Sequence, residues 1–259
     1  MPQFDNNGAT LHYEEAGSGP PLLLIAGIAS DGASWRPLVP LLAPHFRLVM
    51  IDNRGCGRSS APGELTIADM AGDCAALIDR LGLGPVNVVG HSLGGYLGLL
   101  LAADHPDRVR RLVTLASGPL SQRSRSLFRH LAKLYATIAP EDWFKLLYPW
   151  LFSDRFFASE QMVSSSAAAS TMYPFRQSPA DFARQVRAID SGPKLEIERI
   201  GCPVLAVSAE LDLLAPPDAV RKMHVGIADV EQREISGAAH SVHWEAAEEV
   251  AELVRGFLG

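Results

Sequence analysis

Three residues distant from one another in the chain have the types needed for one catalytic unit: Ser92, Asp212 and His240. A serine hydroxyl is too weakly acidic to attack a carbonyl unaided. It needs a base within hydrogen-bond reach, and the base needs an orienting carboxylate. Ser92 stands in Gly90-His91-Ser92-Leu93-Gly94, where a short β-branched run (residues 86–89) passes into an apolar, helix-like run ending near residue 103. A G-x-S-x-G turn at such a junction reverses the backbone within a few residues. Its glycines leave space on either side, and the serine projects at a helix start. Free backbone N–H groups there favour a developing oxyanion, with the Leu93 N–H as the first donor.

Eight histidines compete for the role of base. In an open α/β sheet, ligands bind outside the carboxyl ends of the strands, so the partners of Ser92 must come from loops that follow strands. His240 does so, after the small residues Gly237, Ala238 and Ala239. His243 is its competitor, as a base or as a residue lining the site. His91 adjoins Ser92 and must point elsewhere, towards the substrate or its surroundings. His45, His105 and His130 read as surface residues, and His12 as a surface residue of a strand. For the carboxylate, Asp212 lies three residues past a strand end, with Glu210 as second choice.

The elements that would position these groups alternate. A hairpin over residues 3–16 turns at Asn6-Asn7-Gly8, followed by an apolar central strand (21–25) and a loop at 26–30 able to offer a second oxyanion donor, the N–H of Ile28. A helical segment over 35–42 comes next, then a strand at 47–51 and the glycine-rich loop Asp52-Asn53-Arg54-Gly55-Cys56-Gly57-Arg58-Ser59. Thr66 caps a helix that reaches about residue 81. Further strands are expected at 109–116, 202–209 and 230–235, and an amphipathic helix closes the chain at 245–258. This alternation predicts a doubly wound, mostly parallel sheet covered on both faces. Residues 1–119 and 201–259 form its core, interrupted at 120–200 by an aromatic-rich helical cap. Within the cap, 164–170 reads either as helix or as a mobile stretch.

The 259 residues carry 23 basic and 29 acidic side chains, a net charge of −6. There is no basic stripe for a phosphate backbone, which argues against a nucleic-acid partner. The longest apolar stretch is too short to span a membrane, and residues 1–10 lack the features of a secretory signal, so a cytoplasmic protein is expected. Cys56, Cys74 and Cys202 are odd in number and form no C-x-x-C pair, which predicts free thiols and no metal site. A homo-oligomer is compatible with this composition.

The chain resembles the α/β-hydrolase superfamily. The order Ser92, Asp212, His240 is that family's order. A-G-I-A-S-D-G-A-S-W, D-N-R-G-C-G-R-S, E-L-D-L-L-A-P and G-A-A-H…E correspond to its oxyanion, glycine-rich, acid and histidine loops. One departure is Ala26, where the family commonly has a histidine supporting the oxyanion loop; the Ile28 N–H survives it. The single cap and the W…L-Y-P pattern at 143–149 resemble the 3-oxoadipate enol-lactonases and the aminoacrylate hydrolases of pyrimidine breakdown, and suggest Trp143 as a substrate contact. The resemblance implies hydrolysis of a small ester or lactone without cofactor or metal. The same triad also serves C–C bond hydrolysis or cofactor-free perhydrolysis, and some relatives of this fold act as ligand receptors. The cap arginines Arg123, Arg125, Arg129, Arg155, Arg176, Arg184 and Arg187 are either a solvated helical surface or include one, such as Arg129 or Arg155, that turns inward towards a substrate carboxylate.

Overall fold

The computed structural model describes residues 2–259. In chain order the first strands are β1 (Gln3–Asn6), β2 (Ala9–Ala16), β3 (Pro21–Ile25) and, after the short helix α1 (Val39–Leu42), β4 (Arg47–Ile51). The helix α2 (Ile67–Arg80), the strand β5 (Val86–His91), the helix α3 (Leu93–Asp104) and β6 (Val109–Leu115) follow. Between β6 and β7 (Val204–Ala209) lie the helices α4 (Gln122–Tyr135), α5 (Pro140–Leu147), α6 (Asp154–Phe157), α7 (Glu160–Met172) and α8 (Pro179–Asp190). The chain ends with α9 (Pro217–Met223), β8 (Val230–Ile235), α10 (Val242–Glu245) and α11 (Ala247–Leu258).

The eight strands form one sheet in the order β1-β2-β4-β3-β5-β6-β7-β8. The pairs β1·β2 and β2·β4 are antiparallel and all others parallel. The central strands explain their own composition. In β3, Leu22 and Leu24 join Trp35, Leu38 and Val250 on one face, while Leu23 and Ile25 join Met70, Cys74 and Leu97 on the other. A strand covered on both faces has no polar side, which is why it reads as an unbroken apolar run. In α2, Ile67, Met70, Cys74, Leu77 and Ile78 are buried at helical spacing. The Thr66 hydroxyl accepts the Asp69 N–H at 3.0 Å, a cap that contributes about 1 kcal/mol. The chain runs from β3 to β4 on one side and returns to β5 on the other, so the loops after β3 and β5 diverge at the switch in strand order.

Two expectations change, and one left open is decided. His12 is fully buried, because β2 lies between β1 and β4 and is covered on both faces; its Nδ1 is 3.2 Å from Asp52 Oδ2. The segment expected as one helix over 35–42 is a single turn at Gly32–Trp35 and then α1, since Pro37 and Pro40 interrupt the hydrogen-bond ladder. Residues 164–170 are helical, within α7, whose N-cap is the Ser159 hydroxyl.

Candidate active site

The turn at Ser92 is as tight as its glycines demand. Ser92 has φ 53° and ψ −116°, a combination that costs an L-residue about 1–3 kcal/mol and is held by its surroundings. A Cβ built on Gly94 would lie 1.9 Å from the Ile25 carbonyl oxygen, and one on Gly90 2.2 Å from that of Gly94. No side chain fits at either place, so α3 packs directly on the backbone of β3 and β5. The Ser117 hydroxyl donates to the Ser92 carbonyl at 3.0 Å and braces the turn from the end of β6.

Ser92, Asp212 and His240 follow β5, β7 and β8, and all three meet at the carboxyl edge of the sheet. The Ser92 hydroxyl donates to His240 Nε2 at 2.9 Å, and His240 Nδ1–H donates to Asp212 Oδ2 at 2.8 Å. The other Asp212 oxygen accepts the N–H groups of Leu214 and Ala215 at 2.8 and 2.9 Å. Burial acts to raise the Asp212 pKa. The adjacent His240 and these hydrogen bonds outweigh it and hold the carboxyl below its ordinary value. Glu210, the second choice, is turned away and accepts the Gly237 N–H at 2.8 Å.

His91 and His243 pack against each other beside His240, with ring centroids 4.2 Å apart and planes tilted by 46°, and His91 is 5.0 Å from the His240 ring. His91 Nε2–H donates to the His240 carbonyl at 2.8 Å. Burial, reinforced by His240, pushes the His91 pKa down to about 3, so this imidazole is neutral. Burial, then His91 and His240, likewise lowers that of His243. His243 packs on Trp35 and makes no hydrogen bond to Ser92 or Asp212.

The Leu93 N–H is the first of α3 and lacks a partner within that helix. The loop carrying Ile28 passes close by: a Cβ on Gly27 would lie 3.3 Å from Ser92 Cβ. In place of a side chain at Ala26, Asn53 Nδ2 donates to the Ala26 carbonyl at 3.0 Å.

Two cavities open on Ser92. One, of about 510 Å³, is lined by Leu93, Tyr96, Leu120, Phe128, Leu195 and Leu214 among others, with Arg125 at its wall. The other, of about 720 Å³, is lined by Phe144, Tyr148, Phe152, Phe156, Trp244, His91, His243 and Arg155. Arg155 reaches this space and donates to the Glu245 carbonyl at 3.2 Å. Arg129 does not: it is exposed and pairs with Asp190 at 2.5 Å. Trp143 borders neither cavity, because its ring stacks on Tyr135 at 3.9 Å and its Nε1–H donates to the Leu131 carbonyl, making it part of the packing among the cap helices.

Sequence reading gave Glu245 no role. Its Oε1 accepts the Ser153 N–H and hydroxyl at 3.0 and 2.6 Å, and its Oε2 accepts the Ala239 N–H at 2.7 Å. The Ser241 N–H donates to the Leu151 carbonyl at 2.8 Å. The loop that carries His240 is therefore tied to the segment between α5 and α6. The signal available was a glutamate five residues past the histidine. Cys56 is a buried thiol whose pKa burial and then Asp31 push up, which leaves it unsuited to nucleophilic attack. Among the described residues, no three His, Cys, Asp or Glu side chains are grouped as metal ligands, and no helix is long and apolar enough to cross a membrane.

Residues 20–247 match the model of the alpha/beta hydrolase fold family. RutD of Azorhizobium caulinodans, a provisionally assigned carbamate hydrolase, is 29% identical over 264 residues, spanning 100% of this chain and 98% of its own. The structure of the enol-lactonase from Burkholderia xenovorans LB400 superposes with a TM-score of 0.89 at 29% identity, covering 99% of each chain. A thermophilic esterase from Thermogutta terrifontis does so with a TM-score of 0.83 at 26% identity, over 96% of this chain and 93% of that one.

Proposed function

The chain belongs to the alpha/beta hydrolase fold family, and from that premise we propose that it hydrolyses a small carboxylic ester or lactone through an acyl-enzyme on Ser92. The observation that carries this reading is the continuous contact from Asp212 through His240 to Ser92, at 2.8 and 2.9 Å, beside the free end of α3. His240 Nε2 takes the hydroxyl proton as Ser92 Oγ bonds to the substrate carbonyl. Asp212 stays ionised, fixes the tautomer and stabilises the imidazolium. The N–H groups of Leu93 and Ile28 receive the oxyanion. His240 then gives its proton to the leaving oxygen, and water activated by the same imidazole releases the acid and regenerates Ser92. Every step uses groups of the chain and water, so no cofactor is called for.

A lactonase, an esterase and a provisionally assigned carbamate hydrolase among the similar proteins share an acyl carbonyl bonded to a heteroatom, and this supports the reaction class. Residues 120–200 act as the cap that closes both cavities over Ser92, one cavity for each side of the scissile bond. Of the cap arginines, Arg155 and Arg125 line the two cavities, one each, and are the ones available to a substrate carboxylate.

The test is a panel of p-nitrophenyl esters, enol-lactones, carbamates and vinylogous diketones, with and without peroxide, on the parent and Ser92→Ala. The variant should lose on the order of 10⁶ in kcat on the ester or lactone that the parent turns over, as serine hydrolases do. Retention of more than about a tenth of the activity removes Ser92 as nucleophile. Turnover confined to diketones or to peroxide reassigns the reaction, and tight binding without turnover makes the chain a receptor. If Arg155→Gln and Arg125→Gln each leave kcat/KM unchanged on a carboxylate-bearing lactone, the acidic-substrate reading fails alone.

A further inference from the structure

The N–H of Ile28 serves an oxyanion only if the turn that carries it is held still, and position 26 supplies no side chain able to do so. The residue after Ile28 is strained: Ala29 has φ 57°, in the left-handed region that an L-residue with a Cβ avoids. Its N–H points away from the solvent and is taken by a side chain from a distant helix. Gln185 Oε1 accepts the Ala29 N–H at 3.0 Å.

Gln185 is itself unusual. It lies in α8 on the stripe that buries Phe182, Val186 and Ala188, and it is fully buried. A polar amide on an apolar helix face is costly unless every atom is bonded. Here Oε1 also accepts from Gln177 Nε2 at 3.3 Å, and Nε2 donates to Cys56 Sγ at 3.3 Å. Gln177 Nε2 in turn donates to the Gly55 carbonyl at 2.9 Å. The Ala29 N–H demands an acceptor, so the Gln185 amide has one permitted orientation. Two cap glutamines and the loop after β4 thus hold the turn after β3.

We propose that Gln185 is a positioning residue of the oxyanion hole: by holding the Ala29 N–H from the cap helix α8 it fixes the Ile28 N–H, so the hole is complete only while α8 is docked. The inference rests on the roles given above to Ser92 and Ile28. It assigns to a cap residue a part in stabilising the transition state, separate from any contact with substrate.

The test uses Gln185→Met, which keeps the length and removes the acceptor. Loss of one oxyanion donor costs on the order of 10²–10³ in kcat, and displacement of the donor costs part of that. We expect kcat on p-nitrophenyl acetate to fall about 10- to 100-fold with KM within about threefold. The affinity for phenylboronic acid, whose tetrahedral adduct places an oxygen in the hole, should fall by the same factor as kcat/KM. Unchanged kcat and boronate affinity, or a rise in KM alone, overturns the proposal.

If Gln185→Met fails to fold, Gln185→Ala decides, because truncation also removes the acceptor of the Ala29 N–H. Its kcat and boronate affinity should again fall about 10- to 100-fold together, with KM within about threefold. Unchanged kcat and boronate affinity in that variant overturn the proposal. Labelling of the parent, but not of Ser92→Ala, by a fluorophosphonate separates the two levels. No labelling of the parent defeats the hydrolase reading and this inference with it; labelling together with an unaffected Gln185→Met defeats the inference alone.

Discussion

Replacing Gly94 by alanine should cost far more activity than the same change at Gly98, one turn further along α3. The new Cβ would sit 1.9 Å from the Ile25 carbonyl oxygen and 2.5 Å from its carbon, more than 1 Å short of the 3.0 Å at which real contacts of this kind begin. Neither atom can yield, because β3 is hydrogen-bonded to β4 and β5 on its two sides. The start of α3 must therefore retreat by about the missing distance, and it takes Ser92 and the Leu93 N–H with it. Overpacking of this kind costs about 1–3 kcal/mol in stability, and a 1 Å misplacement of reacting groups costs on the order of 10² in rate. Gly98→Ala, one turn along the same helix, is the control. Its Cβ would meet the tip of Leu112 at 2.8 Å, a side chain able to turn aside, and alanine gains about 1 kcal/mol of helix propensity over glycine. The assay is kcat/KM on a p-nitrophenyl ester beside thermal unfolding of both variants. If Gly94→Ala matches Gly98→Ala in rate and Tm, the close approach of α3 to β3 is not what places the nucleophile.

His240→Ala should lower kcat by on the order of 10⁴ or more and His243→Ala by less than about tenfold, since only the first imidazole bonds both Ser92 and Asp212; the reverse ranking would move the base to His243. Arg54 is bonded through two nitrogens to Asp73 at 2.6 Å in a buried pair, so Arg54→Ala should destabilise by about 3–5 kcal/mol in denaturant titration with little effect on KM, and a loss under 1 kcal/mol would count against it. His91, His224 and His243 are held neutral by burial, with folded pKa values below the unfolded 6.5. The unfolded chain then binds more protons in acid, so the stability each provides is complete above pH 6.5. It is lost as pH falls towards the folded value, at up to about 1.4 kcal/mol per pH unit for each group. Denaturant midpoints should hold nearly level from pH 7.5 to about 6.5 and fall from there to pH 5.5, and a profile flat down to pH 5.5 would contradict the neutral assignments.

Much of this architecture was legible because it obeys local rules. The unbroken apolar runs in β3 and β5, the Thr66 cap and the Asn7-Gly8 turn each have a single economical reading. The meeting of Ser92, Asp212 and His240 was legible too, since strand-following loops converge on one edge of a parallel sheet. Contacts across the cap were not. His12 looks like a surface residue by alternation alone, and only the position of β2 inside the sheet buries it. Trp143 and Arg129 carry chemistry suited to a binding site, but their orientation depends on how α4, α5 and α8 pack, which periodicity does not encode. Gln185 left a trace that went unread, a polar side chain on the stripe that buries Phe182 and Val186. Such a violation of the apolar pattern marks a residue recruited for something other than packing.

Among the described residues, the two cavities at Ser92 have just three lining residues in common, Ile28, Ser92 and His240. In the mechanism proposed above those three meet the reacting carbonyl; the rest of each lining belongs to one side or the other. Effects of substitutions at well-separated sites with no shared partners usually add. A change at Phe128 and a change at Phe156 should therefore each alter preference for one half of the substrate and combine as a product of rate factors. The scaffold is in this sense modular to selection: one half of the substrate's identity is free to drift while the other is conserved, with no intermediate that loses both.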